Sequence, residues 1–160
     1  MAHIHDKIDY TVNGFIVHND KVLFVMHKKL QMWLPPGGHI ELDEDPEEAL
    51  YREIEEESGI ARSHLTIIHP HDAPFTELDS KEYKSLPSPY YLDIHMITPT
   101  HRHIGMNYVF TSDTQQVQTD PNESADHRWM SAEEIGAADL EMKENIRLYA
   151  NNVLTLVKSI

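Results

Sequence analysis

The sequence predicts one domain that combines β-strands with α-helices, and three observations carry that expectation. Two β-branched, aromatic-containing runs meet at Asn19-Asp20, the pattern of a hairpin. End signals place a helix from Pro46 to Ser58. An apolar stripe at helical spacing, Ile146, Tyr149, Val153, Leu154 and Val157, marks another helix from about Leu140 onward. The 160 residues suit a single domain, 1–160, with a sizeable core, and no internal repeat or linker divides them.

Each element has its own justification. In the hairpin, Tyr10 to His27, the run Val12, Phe15, Ile16 and Val17 leads into the turn and Val22 to Met26 leaves it. Lys28-Lys29 and Gln31 connect to Trp33-Leu34, and Pro35-Pro36-Gly37-Gly38 follows as the densest punctuation of the chain. Asp45 is a good N-cap, Pro46 suits the first helical position, and Glu48 completes an Asp-x-x-Glu capping box. Gly59 supplies the C-terminal stop. Leu65 to His69 reads as a strand, and Pro70 to Pro89 as a long surface loop. Tyr90–Ile97 and His103–Thr111 read as antiparallel neighbours. A polar stretch, Ser112 to Ala125, then leads to Arg128-Trp129-Met130 and a short helix capped by Ser131 and Glu134.

Charge narrows the partners. Thirteen Lys+Arg against 27 Asp+Glu leave a net charge of −14, which disfavours a nucleic-acid polymer and an anionic membrane surface. A small anionic substrate remains open if a divalent cation stands between it and the protein. The absence of cysteine excludes disulfides, thiolate zinc sites and cysteine nucleophiles. Met1 to Asp6 lacks the features of a signal peptide, and no apolar run approaches the roughly 18 residues of a membrane span. The expected location is cytoplasmic.

The chemistry concentrates between Gly38 and Ile60. On a helix with Ala49 at zero, Glu53 falls near roughly 40°, Glu57 near roughly 80° and Glu56 near roughly 340°. Three carboxylates thus share one arc, bordering Leu50 and Ile54 on the core side. Like charges at these spacings repel, and proximity to the core raises the cost of ionising them. The cluster makes sense as a set of oxygen ligands for a hard divalent cation, Mg²⁺ or Mn²⁺. Ala49, one turn below Glu53, is expected to leave room for a ligand. Gly37-Gly38 lets backbone approach the metal or a phosphate, and Arg52 is placed to orient a carboxylate.

Residues 38–60 carry every fixed position of the Nudix box, Gly-x5-Glu-x7-Arg-Glu-U-x-Glu-Glu-x-Gly-U, with Ile54 and Ile60 as the aliphatic positions U. The chain therefore resembles the Nudix family, and Trp33 to Gly38 and Arg128 to Ile135 resemble its flanking segments. The resemblance implies a Nudix-like α/β/α sandwich on a mixed β-sheet. It implies a metal-dependent pyrophosphohydrolase that cleaves a nucleoside diphosphate linked to a moiety X, with a (deoxy)nucleoside triphosphate or similar small nucleotide as substrate. By the same resemblance Glu53, Glu56 and Glu57 are metal ligands, joined by the Gly38 carbonyl. Glu44 lies near or behind the metals, and Arg52 is the orienting arginine. The general base is Glu53 or Glu56, with Glu123 as a loop alternative. A homodimer is compatible with the resemblance. The alternative is a non-catalytic nucleotide-binding or regulatory module, which commonly loses box carboxylates that this chain keeps. An isomerase on the same scaffold needs a cysteine that this chain lacks.

Several residues remain as candidates beyond the box. Lys28, Lys29 and Arg102 are possible phosphate contacts, and His39 and His103 possible substrate contacts. Trp33, Phe75, Tyr90, Tyr91 and Tyr108 offer stacking faces, although most should be core. His69-Pro70-His71 and His101-Arg102-His103 alternate, but without a third ligand at a matching spacing they read as surface or loop histidines. Two downstream marks of Nudix subgroups give no substrate: Pro74 falls one position short of one, and Thr76, Glu77 and Leu78 lack the tyrosine of the other.

Overall fold

The computed structural model describes residues 4–70, 82–119 and 124–160. Within them the strands are β1 (Ile8–His18), β2 (Lys21–His27), β3 (Met32–Leu34), β4 (Gly37–His39), β5 (Leu65–Ile68), β6 (Tyr91–Thr98), β7 (His101–Ser112) and β8 (Ser124–Met130). The helices are α1 (Pro46–Ser58), α2 (Ala132–Ile135) and α3 (Glu144–Lys158). The strands form one mixed sheet in the order β3-β2-β1-β7-β5, with β4 added to β1, β6 to β7 and β8 to β2. β1 and β7 run parallel from Ile8↔Arg102 to Val17↔Thr111, and the other pairs are antiparallel.

Alternation along β1 builds two cores. Val12 and Ile16 point to one face and pack with Leu50 and Ile54 of α1 and Phe110 of β7. Phe15 and Val17 point to the other and pack with Ile146, Ala150 and Val153 of α3 and Ile135 of α2. Helices therefore cover both faces, giving the expected α/β/α sandwich. Full burial of each large aliphatic side chain contributes about 1.5–3 kcal/mol. Ala49 is completely buried within the α1 core, so it leaves no room for a ligand, contrary to the expectation from helix spacing.

The hairpin turns at Asn19 and Asp20, whose φ values of 47° and 61° are the left-handed pair that suits the twist of two strands. β1 and β2 pair only next to this turn, at Val17↔Val22 and His18↔Lys21, before β2 departs toward β3 and β8. The vacated edge of β1 is taken by β4, with Thr11↔His39, Val12↔Gly38 and Asn13↔Gly37. Gly37-Gly38, the second half of the segment read as punctuation, thus lies in a strand of the sheet. It is a strand through tertiary pairing rather than intrinsic preference: the Gly14 N–H donates to Pro36 O at 2.8 Å and the Ile40 N–H to Tyr10 O at 3.0 Å. A Cβ on Gly37 would stand 2.2 Å from Val12 O, so only glycine fits.

Other boundaries shift for identifiable reasons. β7 begins at His101, two residues early, because β6 and β1 pair with it there. α3 begins at Glu144 rather than near Leu140. The Arg147 guanidinium donates to the carbonyls of Ile135, Ala137 and Leu140, so that stretch needs no helical hydrogen bonds. Of the loop expected from Pro70 to Pro89, positions 71–81 lie outside the described residues. Among those described, no helix is long and apolar enough to cross a membrane.

The cap of α1 yields a test. The Asp45 carboxylate accepts from the N–H groups of Glu47 and Glu48 at 2.8 and 3.0 Å, and Lys84 Nζ lies 2.6 Å away. Burial pushes the Asp45 pKa up, but Lys84 and the cap N–H groups outweigh it and hold the carboxyl below its ordinary value. Its stabilising contribution is therefore present above the ordinary aspartate range and is lost as pH falls through the lowered value. Asp45→Ala should cost about 1 kcal/mol in urea unfolding at neutral pH. The gap to wild type should close as the medium is acidified below the ordinary aspartate range.

Candidate active site

α1 sets its acidic flank against the backbone of β4. Glu53 and Glu57 are buried at this seam, whereas Glu56 is exposed. The Gly37 N–H donates to Glu57 Oε2 at 3.0 Å. A Cβ on Gly38 would lie 2.3 Å from Glu53 Oε1, so the absence of a side chain at Gly38 is what admits the carboxylate. Gly14 serves the same seam from β1, where a Cβ would meet Ile54 Cδ1 at 2.7 Å.

Arg52 ties the acids together. Its Nε and Nη2 hold both oxygens of Glu44 at 2.5 and 2.8 Å. Nη1 donates to Glu53 Oε1 at 2.9 Å and to Glu56 Oε2 at 3.2 Å, and Nη2 also donates to the His39 carbonyl at 3.1 Å. The Arg52 hydrogen bond lowers the pKa of Glu44, and Glu44 in turn raises that of Arg52. For Glu53 the balance is reversed: burial raises its pKa, and Arg52 only partly offsets this. Sequence spacing anticipated the shared flank but not this division of labour. Arg52 holds Glu44 and Glu53 and also reaches the exposed Glu56, while the Gly37 N–H holds Glu57. The carboxylates offer oxygen donors throughout, which suit a hard divalent cation.

On the other side of β4 lies a cleft of about 290 Å³, bordered by Asn13, Lys29, Gly37, Gly38, His39 and His103. Lys29 lines it, whereas Lys28 is an exposed residue of the preceding turn. Trp33 is 5% exposed in the α3-side core, with the Arg128 guanidinium 4.9 Å above its ring, so it offers no stacking face to the cleft. Tyr108 is buried in the opposite core. Arg102 is exposed and, by strand alternation, points to the α1 side, away from the cleft. Glu123, Pro74, Phe75, His71 and positions 76–78 lie outside the described residues.

The histidines depart most from expectation. His69 is exposed, as predicted, but His101 is 3% exposed and His39 8%. His39 and His101 both reach Asp9, and the His103 ring packs edge-on to both of their rings. Burial, with His39, His95 and His101 as neighbours, pushes the His103 pKa down to about 4. The third partner missing from the sequence pattern is Asp9, brought beside His103 by the parallel β1/β7 register. Sequence reasoning also missed Asn107, whose amide donates to Asp93 Oδ2 at 3.1 Å and accepts from Asn13 Nδ2 at 3.1 Å. Tyr149 closes this network by donating to Asp93 Oδ2 at 3.0 Å.

The fold and the seam of carboxylates and glycines define a class, and comparison with known proteins agrees. The family model described as NUDIX domain matches residues 8–151, and the chain belongs to the NUDIX family of hydrolases. A crystal structure of a NUDIX-family hydrolase from Clostridium perfringens superposes with a TM-score of 0.80 at 36% identity, covering 93% of this chain and 97% of that one. The chain is 38% identical over 66 residues to an RNA pyrophosphohydrolase of Methylococcus capsulatus, a match covering 39% of this chain and 35% of that protein. It is 27% identical over 118 residues to a probable DHNTP pyrophosphohydrolase of Lactococcus lactis subsp. cremoris, covering 72% and 61% respectively. The chain thus spans about a third to three fifths of these two curated relatives.

The Arg52–Glu44 fork should be measurable as a coupling. A double-mutant cycle with Arg52→Ala and Glu44→Gln, read by urea unfolding, should give an interaction of about 0.5–3 kcal/mol. A coupling indistinguishable from zero would contradict the bidentate contact.

Proposed function

We propose that the protein is a metal-dependent pyrophosphohydrolase acting on a nucleoside diphosphate linked to a moiety X, with a (deoxy)nucleoside triphosphate or similar small nucleotide as substrate. The observation that carries this reading is the seam of Glu53, Glu56 and Glu57 against Gly37-Gly38, wired by Arg52. Glu53, Glu56, Glu57 and the Gly38 carbonyl would hold Mg²⁺ or Mn²⁺. Such a cation, when bound, neutralises diphosphate oxygens and acidifies a water molecule.

The chain's own residues do the rest. Glu53 or Glu56 accepts a proton from the attacking water, whose oxygen forms the new bond to phosphorus as the anhydride P–O bond opposite it breaks. The leaving phosphate carries away the electron pair of that bond. Arg52 keeps Glu53 and Glu56 oriented from one guanidinium while Glu44 holds Arg52 from behind. Glu123 is the alternative base. The cleft beyond β4 would take the nucleoside part, with Asn13, Lys29, His39 and His103 along its border.

An RNA substrate is the second reading, motivated by the name of the Methylococcus relative. The charge of −14 favours the small nucleotide, since RNA is gripped through Lys and Arg along its backbone. A panel of nucleotides and a 5′-triphosphorylated RNA, assayed for phosphate and pyrophosphate release with Mg²⁺, tests both. The expected outcome is faster turnover of at least one mononucleotide than of the RNA. Glu53→Gln or Glu56→Gln should lower the rate by about a hundredfold or more, the range of a lost acid–base group. Unchanged rates in both variants would end the proposal.

A further inference from the structure

The register that joins β1, β4 and β7 builds a second group of ligating side chains on the sheet face away from α1. Asp9 is fully buried, and its Oδ2 stands 3.2 Å from His39 Nε2 and 3.2 Å from His101 Nε2. The His103 ring centroid lies 4.8 Å from that of His39 and 5.3 Å from that of His101. One ligand atom from each of Asp9, His101 and His103 lies within 4.8 Å of the other two.

These separations can be compared with metal geometry. Zinc bonds to imidazole nitrogen and carboxylate oxygen measure about 2.0–2.2 Å, so ligand atoms on a tetrahedral ion stand about 3.3–3.6 Å apart. Both Asp9 contacts are close to that edge length. Three imidazoles with one carboxylate suit a borderline cation such as Zn²⁺, whereas Mg²⁺ prefers oxygen alone. The ligands are also held from behind, as metal ligands characteristically are. His101 Nδ1 lies 3.4 Å from the Asp6 carbonyl, leaving Nε2 directed at Asp9. The Asp9 carboxylate accepts the N–H of His5 at 2.6 Å on Oδ1 and that of Ile4 at 3.2 Å on Oδ2.

We propose that Asp9, His101 and His103 bind a zinc-type transition-metal cation, with His39 in the fourth position, at a site separate from the carboxylates of α1. Because His39 and His103 also border the cleft, a bound ion would brace its wall next to Gly37 and Gly38. The inference stands independently of the proposed hydrolysis.

The test uses the full chain, stripped with chelator and titrated with Co²⁺ in excess Mg²⁺, which occupies the oxygen sites of α1. One equivalent should develop the intense visible absorption of four-coordinate Co²⁺ and lose it on adding Zn²⁺. The absorption should survive Glu56→Gln and vanish in His103→Ala with circular dichroism unchanged. No such absorption, or absorption that follows Glu56→Gln instead, would overturn the proposal and leave Asp9 and its histidines as an ion-pair network. Should His103→Ala fail to fold, X-ray absorption at the zinc edge of the wild-type protein decides. Imidazole scattering is expected, and an oxygen-only shell would overturn the site.

Discussion

The close approach of α1 to the backbone of β4 is the constraint on which the rest depends. A helix carrying buried carboxylates can lie against a strand only where that strand has no side chains in the way. Gly38 meets this need beneath Glu53, and the N–H of its neighbour Gly37 adds a hydrogen bond to Glu57. Gly14 extends the same tolerance to β1 under Ile54. The hairpin must open to admit β4, which explains why β1 and β2 pair only beside their turn. Glycine content, strand order and helix position are thus one solution to one steric problem.

Electrostatics then decides how the acids live there. Burial alone would push Glu53 toward its neutral form, and a single guanidinium limits that tendency while bridging to Glu44 and Glu56. Arg52 also donates to the carbonyl of His39, so the same side chain fastens α1 to β4. A lysine could not reproduce this, because its ammonium lacks the planar fork that serves several acceptors at once. The sheet separates this oxygen-rich flank from the histidine-rich wall behind it, and β4 borders both. Carboxylates and imidazoles therefore stand back to back across one strand.

Local signals made much of this legible. The Asp45 cap, Pro46 and Gly59 bound α1 to the residue because end signals act within a few positions of the chain. The 3.6-residue period placed Leu50, Ile54, Glu53 and Glu57 on the correct side of the helix. The box motif is legible because one helix and the turn before it supply nearly all of its members. By contrast, β4 carries two glycines and no strand preference, and only the edge vacated by β2 makes it a strand.

Capping determined the α1 boundaries, and the resemblance of residues 38–60 to the Nudix box pointed to the family and, through it, to the fold. Caps and the box motif are legible because their members lie close together along the backbone. The pairing of Asp9 with His101 and His39, the withdrawal of Trp33 into the core and the placement of Lys29 rather than Lys28 at the cleft were decided only by tertiary structure. Each depends on which strand lies beside which, and in what register. Residues more than ninety positions apart, such as Asp9 and His101, carry no local signal of their contact, because sheet pairing and packing across two faces select it.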